Sequence, residues 1–171
     1  LFPYTTLFQS TYDLSTAESY RLGSTNPFYT WNEVYDNGSE LEIRGVQNLT
    51  IRGAGMDKTT IAAVPRYANV IKFSGCQDVT VEGLTAGHTT EPGWCMGGVL
   101  RFESCDRAAV NACGLYGCGT LGVWARDCNG LTVTDSDIYE CSYGAVDVDH
   151  CRDVRVENCD VHDHGTREGQ G

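Results

Sequence analysis

Two arginines and two aspartates in the second half of the chain have the side chains that proton-transfer and cation chemistry require. Arg101 and Arg126 could hold a carboxylate or, at high pKa, take part in proton transfer. Asp147 and Asp149 offer carboxylate oxygens, and Ca²⁺ takes roughly six to eight oxygen ligands. These four residues form the predicted catalytic set. No residue in the sequence requires a cofactor. If one is bound, the oxygen ligands of Asp147 and Asp149 predict Ca²⁺.

Other side chains with rings or carboxyl groups could contact a ligand. Trp124 has a flat face on which a ring could stack. The predicted ligand-binding set consists of such residues: Trp124, Glu103, His88, Trp94, Tyr116, Tyr139 and His162. In a second hypothesis Glu103 and Asp149 act together, as two carboxyls that flank a scissile bond.

The spacing of these residues follows an internal repeat. Five stretches align column by column, and they begin at Leu41, Ile71, Leu100, Val123 and Val146. Columns 1, 3, 6, 9, 11, 14 and 16 are apolar in every unit except at Ser136. The period of two predicts three short strands per unit, each with one buried face. Gly, Asn and Asp after the second strand predict a tight bend there.

Such units bury their apolar faces only by stacking in register. The sequence therefore predicts an all-β fold, a parallel solenoid of about five coils with three short strands per coil. Like side chains would lie above like, in parallel strands about 4.8 Å apart. The alternative, a β-sandwich of hairpins, would need a turn signal after every strand.

Stacking would bring several candidate residues together. Asp137 and Asp160 would be neighbours, and two carboxylates about 4.8 Å apart repel unless a proton or cation intervenes. They are the predicted metal ligands, and beside them the rings of Tyr116, Tyr139 and His162 would stack in one column. On the first strand of each unit, Arg101, Trp124 and Asp147 would form one outward row, with Glu103, Arg126 and Asp149 in the next. Glu103 and Asp149 would lie two coils, or about 9.6 Å, apart.

The repeat resembles the right-handed parallel β-helix, the fold of pectate lyases and of the broader right-handed β-helix repeat proteins, over about residues 41–166. The resemblance implies a substrate groove on the outer face of the first sheet, walled by long loops. Residues 86–98, which contain His88 and Trp94, are predicted to form one of these connecting loops. It implies a protein that acts on or binds acidic polysaccharide, as a lyase or hydrolase. The alternative is a non-catalytic solenoid that binds glycan or serves a structural role. The polygalacturonase motifs Asn-Thr-Asp, Asp-Asp and Gly-His-Gly do not occur, so enzyme activity stays open.

Three segments are predicted along the chain. Residues 1–10 resemble a translated sequencing adapter, residues 11–40 would form a partial coil or cap, and residues 41–171 would form the β-helix. The chain is interpreted as a metagenomic fragment, truncated at its C-terminus.

The composition of the chain excludes some classes of binding partner. The formal charge of −11 argues against nucleic acid, whose binding proteins are usually basic. No apolar run is long enough to span a membrane. We expect a monomer, secreted or at the cell surface, with a polysaccharide or glycan as its partner.

The nine cysteines fall into aligned columns. Four of them share column 6: Cys76, Cys105, Cys128 and Cys151. Stacked thiols have poor geometry for disulfides, and a straight row does not converge on a zinc ion. The pattern therefore favours packing as small apolar side chains over disulfides or metal binding.

Overall fold

The structure is an all-β solenoid built from three sheets. The computed structural model describes residues 4–6, 9–35, 38–89, 96–117 and 120–165. Five successive sets of three strands follow one another, and the described chain completes about four turns, slightly fewer than the five coils expected. The predicted fold class is confirmed.

The elements run in the following order. An N-terminal segment contains β1 (Tyr4–Thr6), β2 (Ser10–Asp13), a 3₁₀ turn (Leu14–Thr16), helix α1 (Glu18–Leu22) and β3 (Tyr29–Val34). The coils contain β4 (Gly38–Arg44), β5 (Gln47–Arg52), β6 (Thr59–Ala63), β7 (Ile71–Ser74), β8 (Gln77–Glu82), β9 (Thr85–His88), β10 (Leu100–Glu103), β11 (Asp106–Asn111), β12 (Gly114–Tyr116), β13 (Leu121–Arg126), β14 (Asn129–Thr134), β15 (Asp137–Tyr139), β16 (Gly144–Asp149), β17 (Arg152–Glu157) and β18 (Asp160–His162).

Each sheet takes one strand from every coil. The first sheet has the order β3-β4-β7-β10-β13-β16, the second β1-β5-β8-β11-β14-β17, and the third β2-β6-β9-β12-β15-β18. All strand pairs are parallel except β3–β4, which is antiparallel. Val81, Val110 and Val133 pair in one row, so the predicted register is confirmed in the second sheet.

The core lies inside the solenoid, where the alternate residues of each strand meet. Val81, Val110 and Val133 have no exposed surface. Phe73 and Phe102 are also fully buried and stack with their ring centroids 5.0 Å apart. The period of two puts these side chains on the inner face, and burial of apolar surface stabilises the stack.

The corners of the coil have a left-handed backbone. The predicted bend between second and third strands has positive φ at Gly83, Asp135 and Asn158. A further corner, which the repeat did not predict, lies between the first and second strands. Its φ is positive in every coil: Gly45, Gly75, Ser104, Asp127 and His150. Gly, Asn and Asp adopt this conformation at low cost, which explains their frequency at these positions.

The first coil departs from the predicted alignment. The repeat assigns Met56 to an inward column, but Met56 is 40% exposed. Ile61 instead pairs with Ala86, and it is buried. Residues between β5 and β6 therefore form a longer connection, and Ile61 takes the inward position that the alignment gave to Met56.

The N-terminal residues lie along the edges of the first coil. Strand β1 pairs with β5, strand β2 pairs with β6, and β3 covers the edge of β4. Trp31 on β3 donates a hydrogen bond to Ser19 and packs edge-to-face on Tyr20. The assignment of residues 11–40 to a partial coil or cap stays a prediction. The adapter origin of residues 1–10 stays a prediction.

The described cysteines are free thiols, and five of the seven are buried. The Cys105 amide donates to Cys128 Sγ at 3.5 Å, and the Cys128 amide donates to Cys151 Sγ at 3.4 Å. Burial raises the pKa of Cys113 to about 11 and that of Cys141 to about 12. These two thiols are therefore protonated at neutral pH. Cys95 and Cys118 lie outside the described residues.

Candidate functional site

The outward residues of the first sheet form one continuous charged surface. We call it the first-sheet face, and it consists of two rows: Glu42, Lys72, Arg101, Trp124 and Asp147, and Arg44, Ser74, Glu103, Arg126 and Asp149. Because the strands are parallel and in register, each member pairs with its equivalent in the next coil. The structure thus brings the four predicted catalytic residues onto one face.

An ion-pair network occupies the middle of this face. Lys72 Nζ lies 3.3 Å from Glu42 and 2.9 Å from Glu103. Glu42 also accepts hydrogen bonds from Asn32 and Ser74. The hydrogen bond from Lys72 holds the pKa of Glu103 below its usual range. These side chains are partly shielded from water, and the ammonium group of Lys72 is paired with both carboxylates.

Arg101 is held against Trp124. Its guanidinium carbon lies 4.1 Å from the centroid of the indole ring, and one terminal nitrogen is 3.7 Å from Glu103. Its Nε is buried and has no hydrogen-bond partner among the described residues. A cation over an indole face is an attractive arrangement. It fixes the orientation of the tryptophan as well as that of the arginine.

Arg126, Asp149 and Asp147 lie at the exposed end of the face. Arg126 Nε is 3.5 Å from Asp149 and 3.7 Å from Asp127, and all three side chains are about half exposed. Exposed pairs of this kind contribute at most about 1 kcal/mol each. Asp147 has no ion pair or hydrogen bond among the described residues.

An open depression lies beside Trp124. Its volume is about 440 Å³, and residues of β13, of β16 and of the connections that precede β10, β13 and β16 line it: Met96, Thr120, Leu121, Trp124, Tyr143, Gly144, Val146 and Asp147. Tyr143 is 80% exposed. Tyr143 lies in a connection outside the aligned columns, so the repeat contains no signal for it. Trp94, predicted to contact ligand, lies outside the described residues.

A second cluster stands on the third sheet. Tyr116, Tyr139 and His162 stack in successive coils with centroid distances of 5.7 and 5.3 Å. Gly87 precedes them in this row, and a Cβ there would lie 2.4 Å from the Tyr116 carbonyl oxygen. The predicted aromatic column is therefore present and begins where a glycine leaves room for it.

Carboxylates surround the last ring of this column. His162 Nε2 lies 2.9 Å from Asp137 and Nδ1 lies 2.8 Å from Asp163. Asp137, Asp160 and His162 each offer one ligand atom, all within 4.8 Å of one another. Two carboxylates and an imidazole suit a transition metal better than Ca²⁺, which takes oxygen ligands. Metal binding by Asp137 and Asp160 stays a prediction.

His162 should titrate above the ordinary histidine value. The hydrogen bond to Asp163, followed by that to Asp137, raises its pKa from 6.5. A raised folded-state pKa gives stability that is fully present below the unfolded pKa and is lost as pH rises through the folded value. We expect NMR titration of the imidazole to show the raised pKa and Asp163→Asn to lower it. Glu140→Gln, which removes a carboxylate not bonded to the ring, should leave it unchanged; an equal shift in both variants would contradict the assignment.

The structure corrects the position of His88. The sequence suggested a connecting loop, but His88 is the last residue of β9 and only 3% exposed. Its Nε2 lies 2.9 Å from the carbonyl oxygen of Ala68. The strand continues to this residue and turns its ring inward. A buried imidazole has no free surface with which to contact a ligand on the first-sheet face.

Comparisons with known proteins agree with this architecture. The sequence profile described as "Right handed beta helix region" matches residues 56–171, more than half of the chain. No curated protein matches the sequence. No described helix has the length and apolar character that crossing a membrane requires.

A solved structure with a similar fold is among those that match. It is described as that of a "putative glycosyl hydrolase" from Parabacteroides merdae, with 16% identity and a TM-score of 0.54. The alignment covers 69% of this chain and 59% of that one, so this chain spans less than two thirds of its neighbour. The likeness concerns the fold. With a parallel three-sheet solenoid and a family match over most of its length, the chain belongs to the right-handed β-helix family.

Proposed function

We propose that this protein binds carbohydrate on the first-sheet face, with Trp124 as the stacking platform. The observation that carries the proposal is the indole, fixed by Arg101 at 4.1 Å, at the edge of a depression of about 440 Å³. This volume falls in the range of ligand pockets, roughly 300–1,000 Å³. A pre-oriented ring binds with less loss of side-chain entropy than a mobile one.

The polar groups around the indole suit hydroxyl groups. The Asp147 carboxylate and the Thr120 hydroxyl line the same depression as Trp124 and Tyr143. A sugar offers apolar C–H faces to aromatic rings and hydroxyl groups to such acceptors. The neighbour described as a glycosyl hydrolase supports carbohydrate as the ligand class. A glycan ligand also favours the expected location, secreted or at the cell surface.

Binding is better supported than cleavage. A general acid in a glycosidase needs a raised pKa, whereas Lys72 lowers the pKa of Glu103. A guanidinium has no acceptor for a proton, and that of Arg101 is in contact with Trp124 and Glu103. Lyase or hydrolase activity is the second candidate. The half-exposed Arg126–Asp149 pair favours it, since both side chains are open to a ligand.

The proposal is tested by replacing the platform. We expect Trp124→Ala to weaken binding of the best ligand from a polysaccharide panel by about tenfold to a hundredfold, since lost stacking costs roughly 1.5–3 kcal/mol. Trp124→Phe should keep part of the affinity. Isothermal titration calorimetry measures both.

The matched control removes an exposed aromatic ring elsewhere. Tyr35 is 77% exposed and contacts Tyr67 rather than the depression. Tyr35→Ala should bind like the unchanged protein. Equal affinity of Trp124→Ala and the unchanged protein would rule out this face. Release of reducing or unsaturated ends from the bound polysaccharide would establish cleavage.

A further inference from the structure

We infer that the depression beside Trp124 selects an uncharged sugar ring and discriminates against uronates. The inference rests on the proposed carbohydrate binding and specifies its ligand class. It differs from the acidic polysaccharide that the sequence resemblance implied. Three observations lead to it: the pairing of the cations on this face, the charge of the lining, and the cover on one side of the indole.

The cations that could receive a uronate are already engaged. Lys72 lies between Glu42 and Glu103 with only 18% of its side chain exposed. Arg101 contacts Glu103 and the Trp124 ring. A carboxylate ligand would have to displace a carboxylate that is already bound, so it would gain little from either cation.

Arg126 is more open but is also paired. Its Nε lies 3.5 Å from Asp149 and 3.7 Å from Asp127. Two carboxylates therefore stand beside one guanidinium. Arg44 is the remaining cation of this face. It lies on β4, three coils before Trp124, and donates to the Pro27 carbonyl oxygen.

The lining of the depression carries one charged side chain among the described residues, and that charge is negative. Asp147 pairs in register with Trp124, lines the depression and has no partner in the described part of the chain. A uronate stacked on the indole would bring its carboxylate near that of Asp147, in a chain of net charge −11. Like charges at such short distance repel, whereas a hydroxyl donates to the same carboxylate.

A cationic sugar gains no clear advantage over a neutral one in this arrangement. Arg101 already covers one face of the indole, at 4.1 Å from its centroid. A ligand must therefore use the other face, next to the coil that carries Asp147. An ammonium group there would be attracted by the Asp147 carboxylate and repelled by the Arg101 guanidinium across the ring, so the two effects oppose each other. A ring without charge meets neither penalty.

The experiment measures selectivity by calorimetry. The ligands are oligosaccharides of equal length from cellulose, xylan and β-1,3-glucan, from polygalacturonate and alginate, and from chitosan. Each is titrated in calcium chloride and in EDTA. We expect at least one neutral oligosaccharide to bind tenfold or more tightly than any uronate or amino-sugar oligomer in either buffer.

A charge reversal tests the cause. Asp147→Lys should strengthen uronate binding about tenfold, because one unit charge changes sign beside the stacking ring. Asp106→Lys makes the same change of charge on β11 in the second sheet, where the residue is exposed. It should leave the selectivity unaltered, which separates a local effect from one of net charge.

Each outcome has a distinct meaning. A uronate that binds the unchanged protein as tightly as the best neutral sugar, with or without Ca²⁺, overturns the inference while carbohydrate binding stands. The inference is likewise overturned if chitosan oligomers bind most tightly. It is also overturned if Asp147→Lys and Asp106→Lys change the affinity for uronates equally. If no oligosaccharide binds in a way that Trp124→Ala weakens, the proposed function fails and the inference fails with it.

Discussion

Val133→Asp is expected to unfold the solenoid or to lower its melting temperature by roughly 10–20 °C. Val133 is fully buried in the second sheet, between Val110 and Val156 of the adjacent coils. A carboxylate there would be an unpaired charge in an apolar core, at a cost on the order of 4–5 kcal/mol or more. That loss is a large part of the stability of an ordinary domain. Thermal unfolding followed by circular dichroism measures it.

The matched control is the neighbouring residue on the same strand. Thr132 points outward and pairs in register with Arg155, so Thr132→Asp adds the same carboxylate where water can reach it. We expect a change within about 0.5 kcal/mol. Similar melting temperatures for the two variants would mean that the inward and outward positions of β14 are wrongly assigned.

Phe102→Ala is expected to lower stability by about 3–5 kcal/mol, or roughly 6–20 °C in melting temperature. Phe102 is fully buried and stacks almost parallel on Phe73, with an interplanar angle of 9°. The alanine leaves a cavity that the rigid stack of coils fills poorly. Urea unfolding gives the free energy directly.

Two further variants show whether the loss comes from the cavity. Phe102→Leu keeps most of the volume and should cost less than about 1.5 kcal/mol. Phe28 is 56% exposed, so Phe28→Ala deletes the same ring from the surface and should change stability by less than about 0.5 kcal/mol. If Phe102→Ala were no more harmful than Phe28→Ala, the two buried rings could not form the core of the first sheet.

The positions of the functional residues could be predicted from the sequence, but their side-chain contacts could not. Arg101, Trp124 and Asp147 were placed in one outward row from the repeat alone, and the register confirms this arrangement. Their partners were not foreseen. The contact of Arg101 with Trp124 depends on side-chain rotamers, and the place of Tyr143 depends on the course of a connection.

Two positions where the chain departs from the repeat are visible only in the three-dimensional structure. Ile61 replaces Met56 because the first coil has a longer corner, which shifts the third strand along the chain. His88 lies on a strand rather than in a loop because β9 extends to it and packs it against Ala68. In both cases tertiary packing decided where a strand begins or ends, and no column of the alignment contains that information.

The sequence by itself determined the stacked, three-sheet architecture and the rows of inward and outward residues. It could do so because the strand period of two, repeated in every unit, makes a single register bury all the apolar columns at once. The tertiary structure decided which charges are paired, which aromatic ring is fixed and where a depression opens. Those features arise from side chains of different coils and connections, whose distances are set only when the chain has wound into its solenoid.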